Sequence, residues 1–552
     1  VPFPARLCVL YGYRIGDPDI VRIINKQIVG DVRKRVKITL LRESAKERVP
    51  VAFDLGLFIQ GFVLAVSDVR DRDTAINGFQ IRLACLDPCP MEWALRRMFM
   101  KASWFCHRFL TPLLGSDDYG FWTWFDKTHF GCADLRRFIR ESEQFDGMFR
   151  CSDVAGCREA YPVLTFAPSN DELLSTTTFQ KKEMKITVKS ARNIQSPTNA
   201  CKALFGPYIQ RIEERLYDVE LNGCRCFIKH VPVRLRGQYI LEHLGIEGAR
   251  YMVTDHSHYE SHFRPEIIRN CEGVLYRYML RDCPPTIVSS LLLSLEGLHR
   301  MHCPTWKAEI LGCRMSGHDV TSCGNGFTNL ILVLTVLDDV GAEDVAVCVE
   351  GDDGIARFRG TVPGVDAFAS YGFDIKMEAF DDVCRCCFCG IMASKETMHN
   401  LVDPITTLLK FGWTFSLASS CFERMSLLRS KALSLLWGTP SCPIIAAFAR
   451  RVLMLTRSVY GHFVSTDRWH EQFLFSDVVD REQLPATNIE HADRVLMEEF
   501  SGIAVEEQLM LEGEFEGMLL GPFRSDLLIT LIMRRSESTV WEMLWKRYVH
   551  DL

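Results

Sequence analysis

Apolar positions in this chain recur with period two in some stretches and with helical spacing in others. Val345 to Val349, five apolar residues, run into Glu350-Gly351-Asp352-Asp353-Gly354, and Ile355 to Phe358 run out again. Short apolar runs flanking a Gly-rich turn predict a β-hairpin. In KKEMKITVKSARNIQ (181–195), Lys185, Thr187 and Lys189 alternate with Ile186 and Val188, which predicts a basic strand with an apolar reverse side. Tyr251 to Thr254 predicts a strand ending at Asp255, and helical spacing then runs from Glu266 to Leu280. Thr321 to Val336 is also helical in spacing, entered through Ser316-Gly317, with Thr321 and Asn325 sharing one face. A polar stripe on an otherwise apolar helix predicts a ligand or a buried polar partner. Further helices are expected at Val365 to Tyr371, stopped by Gly372, and from Leu401 onward, including Phe422 to Trp437. Arg385 to Met392 predicts a second hairpin, and the aromatic-rich run from Trp93 to Phe130 reads as helical core. No repeat or low-complexity segment is visible.

Composition narrows the class. A chain of 552 residues with 47% hydrophobic and 24% charged residues predicts a soluble globular protein of three or four domain-sized units. The net charge of −6 excludes a uniformly basic coat but leaves room for a local basic channel. Charge is segregated: Lys181 to Arg236 holds twelve basic residues against five acids, whereas Glu471 to Leu520 holds thirteen acids and two arginines. Such separation is expected where one surface meets a polyanion. Arg33, Lys34, Arg35, Lys37, Arg42, Lys46 and Arg48 form another basic run, which reads first as a solvated face. The 22 cysteines are scattered among apolar residues, as buried free thiols of a reducing cytosol are. Cys384, Cys386, Cys387 and Cys389 would alternate faces on a strand, which argues against a shared zinc. His256, His258 and His262 read as local hydrogen-bonding or surface residues. Leu55 to Val66 and Phe327 to Leu337 fall short of the ~20 residues of a membrane helix. No signal-peptide pattern is read, and a start at Val1 rather than Met leads us to expect a segment of a longer product.

The candidate chemistry lies at the first hairpin. Three carboxylates within four positions repel one another and favour a cation. Oxygen ligands at a tight turn suit Mg²⁺, and the spacing does not match an EF-hand loop. An acidic surface hairpin is the bland alternative. Asp255, at the end of its strand and followed by Glu260, is placed to meet a metal held by a neighbouring hairpin.

In order, these parts are a basic strand, Asp-x₄-Glu at a strand end, Ser-Gly-x₃-Thr-x₃-Asn on a helix, a Gly-Asp-Asp hairpin and a lysine. The set resembles the motifs of RNA-dependent RNA polymerases of positive-strand RNA viruses. The tombusvirus-like and statovirus-like group is the closest in flavour, through Glu350 to Gly354 and ARNIQSPTNACKALFGPY (Ala191 to Tyr208). The resemblance spans roughly Lys181 to Trp413. It implies an α+β right-hand fold of palm, fingers and thumb, with an antiparallel palm sheet and a largely helical thumb. The implied division is 1–175 for an N-terminal region and part of the fingers, 176–250 for fingers with the basic nucleotide-entrance segment, 251–275 for palm, 276–310 for a fingers insertion, 311–395 for palm and 396–552 for thumb and C-terminal region.

The implied activity is nucleotidyl transfer from NTPs to the 3′ end of RNA by two Mg²⁺ ions, with Mn²⁺ as a substitute. Asp255 and Asp352 would hold the metals with Asp353 in support. Lys189 and Arg192 would clamp the triphosphate, and Lys376 would protonate the departing pyrophosphate. Glu260 and Asn325 would read the ribose 2′-hydroxyl, in a pocket shaped by Ser316, Gly317 and Thr321. The family usually has a second aspartate where this chain has Glu260, one methylene longer. Implied partners are template and product RNA, NTPs, other viral replication proteins, and host membranes reached through a segment outside this chain. The implied setting is membrane-associated replication complexes in the host cytoplasm. Three alternatives stand beside this: a non-catalytic RNA-binding scaffold with a polymerase-like fold, a reverse transcriptase, and, weakest, a calcium-binding module.

Overall fold

The hydrophobic pattern around the acidic hairpin folds into a four-stranded antiparallel sheet. A computed structural model describes residues 8–18, 20, 36–41, 48–84, 88–115, 121–126, 167–459, 484–535, 544–545 and 548–550. Much of the basic run (Arg33, Lys34, Arg35, Arg42, Lys46), the end of the aromatic run and part of the acid-rich stretch lie outside the described residues. Eight elements carry the site: helix α1 (Arg72–Arg82), strand β1 (Asn193–Pro197), strand β2 (Arg250–His256), helix α2 (Glu272–Met279), helix α3 (Thr321–Asp339), and strands β3 (Glu343–Glu350), β4 (Asp353–Arg359) and β5 (Ile375–Phe380).

The sheet order is β3-β4-β2-β5. Successive residues of a strand face opposite sides, and here each side meets a different core. Met252, Val347, Val349, Ala356 and Phe358 pack with Phe327, Leu330 and Ile331 of α3. Tyr251, Cys348 and Ile355 join the larger cluster on the other side. Every residue from Phe327 to Leu337 is buried, so this apolar run is a core helix, as a helix hydrophobic all round must be. Among the described residues, no helix is long and apolar enough to cross a membrane.

Other elements frame this sheet. A five-stranded sheet runs in the order Lys37–Leu40, Trp306–Leu311, Leu298–Cys303, Ser175–Gln180, β1. A further antiparallel sheet joins Trp413–Thr414, Pro50–Asp54, Val9–Tyr11 and Val549–His550. Leu55 to Val66 is almost wholly buried in the larger core. The described chain is thus α+β with mainly antiparallel sheets, and beyond residue 401 it is mostly helical.

Several expectations change. The expected strand around Lys185 is irregular backbone with one bridge, Lys185 to Ala65, and the regular strand begins only at Asn193. Its cations explain this: Lys181, Lys185 and Arg192 all converge on Glu183, at 2.9, 3.0 and 3.4 Å. The helix expected from 266 to 280 is two helices, Pro265–Asn270 and α2, broken at Cys271. The second hairpin is a tight turn in which Phe388 and Ile391 exchange both backbone hydrogen bonds. His256 and His262 are buried rather than at the surface, with 6% and 0% exposure.

Candidate active site

Register builds the site. Antiparallel pairing sets Gly354 opposite Thr254 and Lys376 opposite Asp255, and directly opposed residues project from the same face. Asp255 is exposed at the end of β2, with the β3–β4 hairpin on one side and β5 on the other. The hairpin tip turns at Gly351, whose φ of +62° is a left-handed angle that glycine adopts at little cost. Asn329 of α3 fixes the tip from below, its Nδ2 donating to the carbonyls of Gly351 (3.2 Å) and Asp352 (3.0 Å). Its Oδ1 therefore accepts from His256 Nε2 at 3.2 Å, which sets the imidazole tautomer. Burial pushes His256 down to about 3, so it stays neutral.

The carboxylates of this corner feel one another. Burial raises the Asp352 carboxyl above its ordinary value, and Glu260 and Asp255 add to the rise while Arg192 opposes it. Burial, then Asp352, Asp255 and Glu350, push Asp353 up to about 7. Glu350 belongs to a different arrangement. Lys229 (3.0 Å) and Arg236 (2.6 Å) bind it, and although burial raises its carboxyl, these cations hold it below the usual range. Among the described residues, the other two hairpin carboxylates have no such cation pair. Among the described residues, no group of three or more His, Cys, Asp and Glu side chains is set to enclose a metal ion by itself.

Basic groups face this corner. Lys189 forms no ion pair among the described residues, and burial lowers its ammonium, with Lys185, Lys376 and Arg82 adding to the effect and Asp255 opposing it. Asp255 thus acts on Lys189, while Lys376 sits opposite Asp255 on the neighbouring strand. Arg192 acts on Asp352 and Glu260 from a position tied to Glu183. Burial would raise Glu183, but Lys181, Arg192 and Lys185 bring it down to about 2.

Arg314 and Met315 link Glu260, Asn325 and Thr321, and the side chains have partners the sequence did not announce. Glu260 sits on a short 3₁₀ turn (Tyr259–His262) and pairs with Arg82 of α1 at 2.9 Å. Burial raises its carboxyl, yet Arg82 and Arg192 outweigh burial and hold it low. Ser316 Oγ donates to Gln195 Oε1 at 3.1 Å, and the Gly317 N–H donates to the Gln195 carbonyl at 3.0 Å. A Cβ on Gly317 would meet that carbonyl oxygen at 2.7 Å, so glycine is required by close approach to β1. Thr321 Oγ1 donates to the Met315 carbonyl (3.0 Å) and Asn325 Oδ1 accepts from Arg314 Nε (2.8 Å). Asn329 is not singled out from the sequence, although it continues the Thr321–Asn325 face by one turn; Arg82, Glu183 and Arg314 carry no local pattern.

No protein-family model matches this chain, and no curated protein matches it either.

Proposed function

We propose that this chain is a viral RNA-dependent RNA polymerase, extending the 3′ end of RNA from NTPs on an RNA template. The observation that carries the reading is the register that sets Asp255 beside the hairpin of Asp352 and Asp353, with Lys376 directly across from Asp255. In this reading the four-stranded sheet with α3 is the palm of a right hand, and the helices beyond residue 401 are the thumb. Template and product RNA, NTPs, other replication proteins and host membranes are the proposed partners, in cytoplasmic replication complexes.

The donor set fits Mg²⁺, or Mn²⁺ in its place. It consists of hard carboxylate oxygens, a cation would relieve the raised pKa values of Asp352 and Asp353, and Mg²⁺ takes only one or two carboxylates, completing its shell with phosphate and water. Asp255 and Asp352 would hold the ions and Asp353 would support them. When bound, two such ions supply charge stabilisation at the attacking and leaving oxygens. The chain's own residues do the rest. Lys189 and Arg192 orient the triphosphate, Lys376 gives a proton to the departing pyrophosphate, and Glu260 with Asn325 tests the sugar, in a pocket shaped by Ser316, Gly317 and Thr321.

Primer extension on a homopolymer RNA template, with and without Mg²⁺, tests the reading. Metal-dependent lengthening with the complementary NTP is expected; no lengthening with either metal would sink it. Within that assay, Lys189→Ala and Arg192→Ala should each raise the apparent KM for NTP roughly tenfold, with a smaller change in kcat, because each removes a charged contact to phosphate. Unchanged kinetics in both would return the segment to an ordinary surface.

A further inference from the structure

The guanidinium of Arg314 is buried to 1% exposure beside the fully buried Glu272 of α2, 2.7 Å away. Tyr276 donates to the other oxygen of Glu272 (3.1 Å), and Arg314 lies 4.1 Å from the centre of the Phe263 ring. A Cβ on Gly324 of α3 would meet Glu272 Oε2 at 2.2 Å, so α3 is shaped to admit this pair. Replacing a buried ion pair by apolar groups is often neutral or stabilising, so stability alone is a weak reason for its presence.

Its contacts suggest a better one. The Arg314 backbone N–H donates to the carbonyl of Glu260 at 3.0 Å, and its Nε donates to Asn325 Oδ1 at 2.8 Å. The next residue, Met315, accepts from Thr321 (3.0 Å). One short segment thus ties together three of the residues assigned to the sugar. A guanidinium has no acceptor, so the atom of Asn325 facing it must be the amide oxygen. That leaves the amide N–H₂ to offer hydrogen.

We infer that Arg314, held by Glu272, is a positioning residue for sugar recognition that fixes the Asn325 amide as a hydrogen-bond donor to the 2′-oxygen of the incoming nucleotide. The inference rests on the polymerase reading. It assigns a direction to the recognition: the 2′-hydroxyl accepts from Asn325 and its own proton goes to the Glu260 carboxylate.

Three sugars separate these directions. A 2′-fluorine accepts weakly and donates nothing, whereas 2′-hydrogen does neither. The wild-type kcat/KM should therefore fall in the order hydroxyl, fluoro, deoxy, with roughly two- to tenfold between fluoro and deoxy, the worth of one modest hydrogen bond. Arg314→Gln should bring the fluoro and deoxy values together, because the amide is then free to turn over. A purely structural role would lower all three alike. Asn325→Asp keeps an ion-pair partner for Arg314 and cannot donate, so its fluoro substrate should fall to or below deoxy even if Arg314→Gln fails to fold. Equal fluoro and deoxy values in the wild type, or a fluoro preference surviving in either variant, would overturn the inference. Absence of any extension with natural NTPs would instead overturn the polymerase reading beneath it.

Discussion

Asp352→Asn is expected to lower nucleotide incorporation by at least about a thousandfold, since it removes a metal ligand from a two-ion site. RNA binding should stay within about twofold, because phosphate contacts come from cationic groups rather than from the hairpin tip. The change is nearly isosteric, and Asn329 holds the turn through the Asp352 carbonyl, not its side chain. The tip should therefore keep its shape. The comparison is extension rate against filter-retained RNA for variant and wild type. Equal extension rates would remove Asp352 from the metal site, and loss of RNA retention would mean that the substitution had disturbed more than a ligand.

Asp353→Asn should separate stability from activity. Burial and three neighbouring carboxylates raise Asp353 from its ordinary 3.8 to about 7. A carboxyl raised in this way disfavours the folded state above its unfolded pKa, increasingly up to the folded one and fully beyond it. In the absence of divalent metal, the variant should be more stable than wild type at pH 8, by on the order of 1–4 kcal/mol. The advantage should shrink as the pH falls and be nearly gone by pH 4, close to the ordinary carboxyl value, where the unfolded group is itself partly protonated. Added Mg²⁺ should narrow the gap at pH 8 by stabilising the wild type more. Incorporation should nevertheless drop. Denaturant melts at pH 4, 6 and 8, with EDTA and with Mg²⁺, provide the check; a pH-independent difference would mean that Asp353 is not crowded.

What could be read from the sequence was what a local pattern encodes. The strand carrying Asp255 near its end and the Gly351 turn are each specified within a few residues, and the helical face from Thr321 to Asn325 is too, although its continuation to Asn329 was not read. Lys376 could be placed only by its order in the motif set, yet it falls opposite Asp255. Arg82 meets Glu260 across 178 residues with nothing in either neighbourhood to announce it. The buried Arg314–Glu272 pair is likewise tertiary, joining a loop to a helix 42 residues earlier. Alternation around Lys185 misleads for a physical reason. Period two marks a strand only when side chains are sorted by burial, and here charge convergence on Glu183 sets the path. Part of that local positive charge is met internally, Lys181 and Lys185 by Glu183 and Lys229 and Arg236 by Glu350.

The sheet that unites Val9–Tyr11, Pro50–Asp54, Trp413–Thr414 and Val549–His550 imposes an order on synthesis. Val9–Tyr11 leaves the ribosome some 540 residues before its strand neighbour Val549–His550 has been made. At ordinary elongation rates that interval is on the order of 30–100 s. Pairing across such a separation is also intrinsically slow. The contact of Tyr548 with Asp17, 531 residues apart, closes only then. Until that moment one edge of the early strand stands open, and open edges accept strands from other chains. Nascent copies on one message are the nearest such chains. Dense ribosome loading should therefore favour swapped pairs, in which the late strand of one copy completes the sheet of its neighbour.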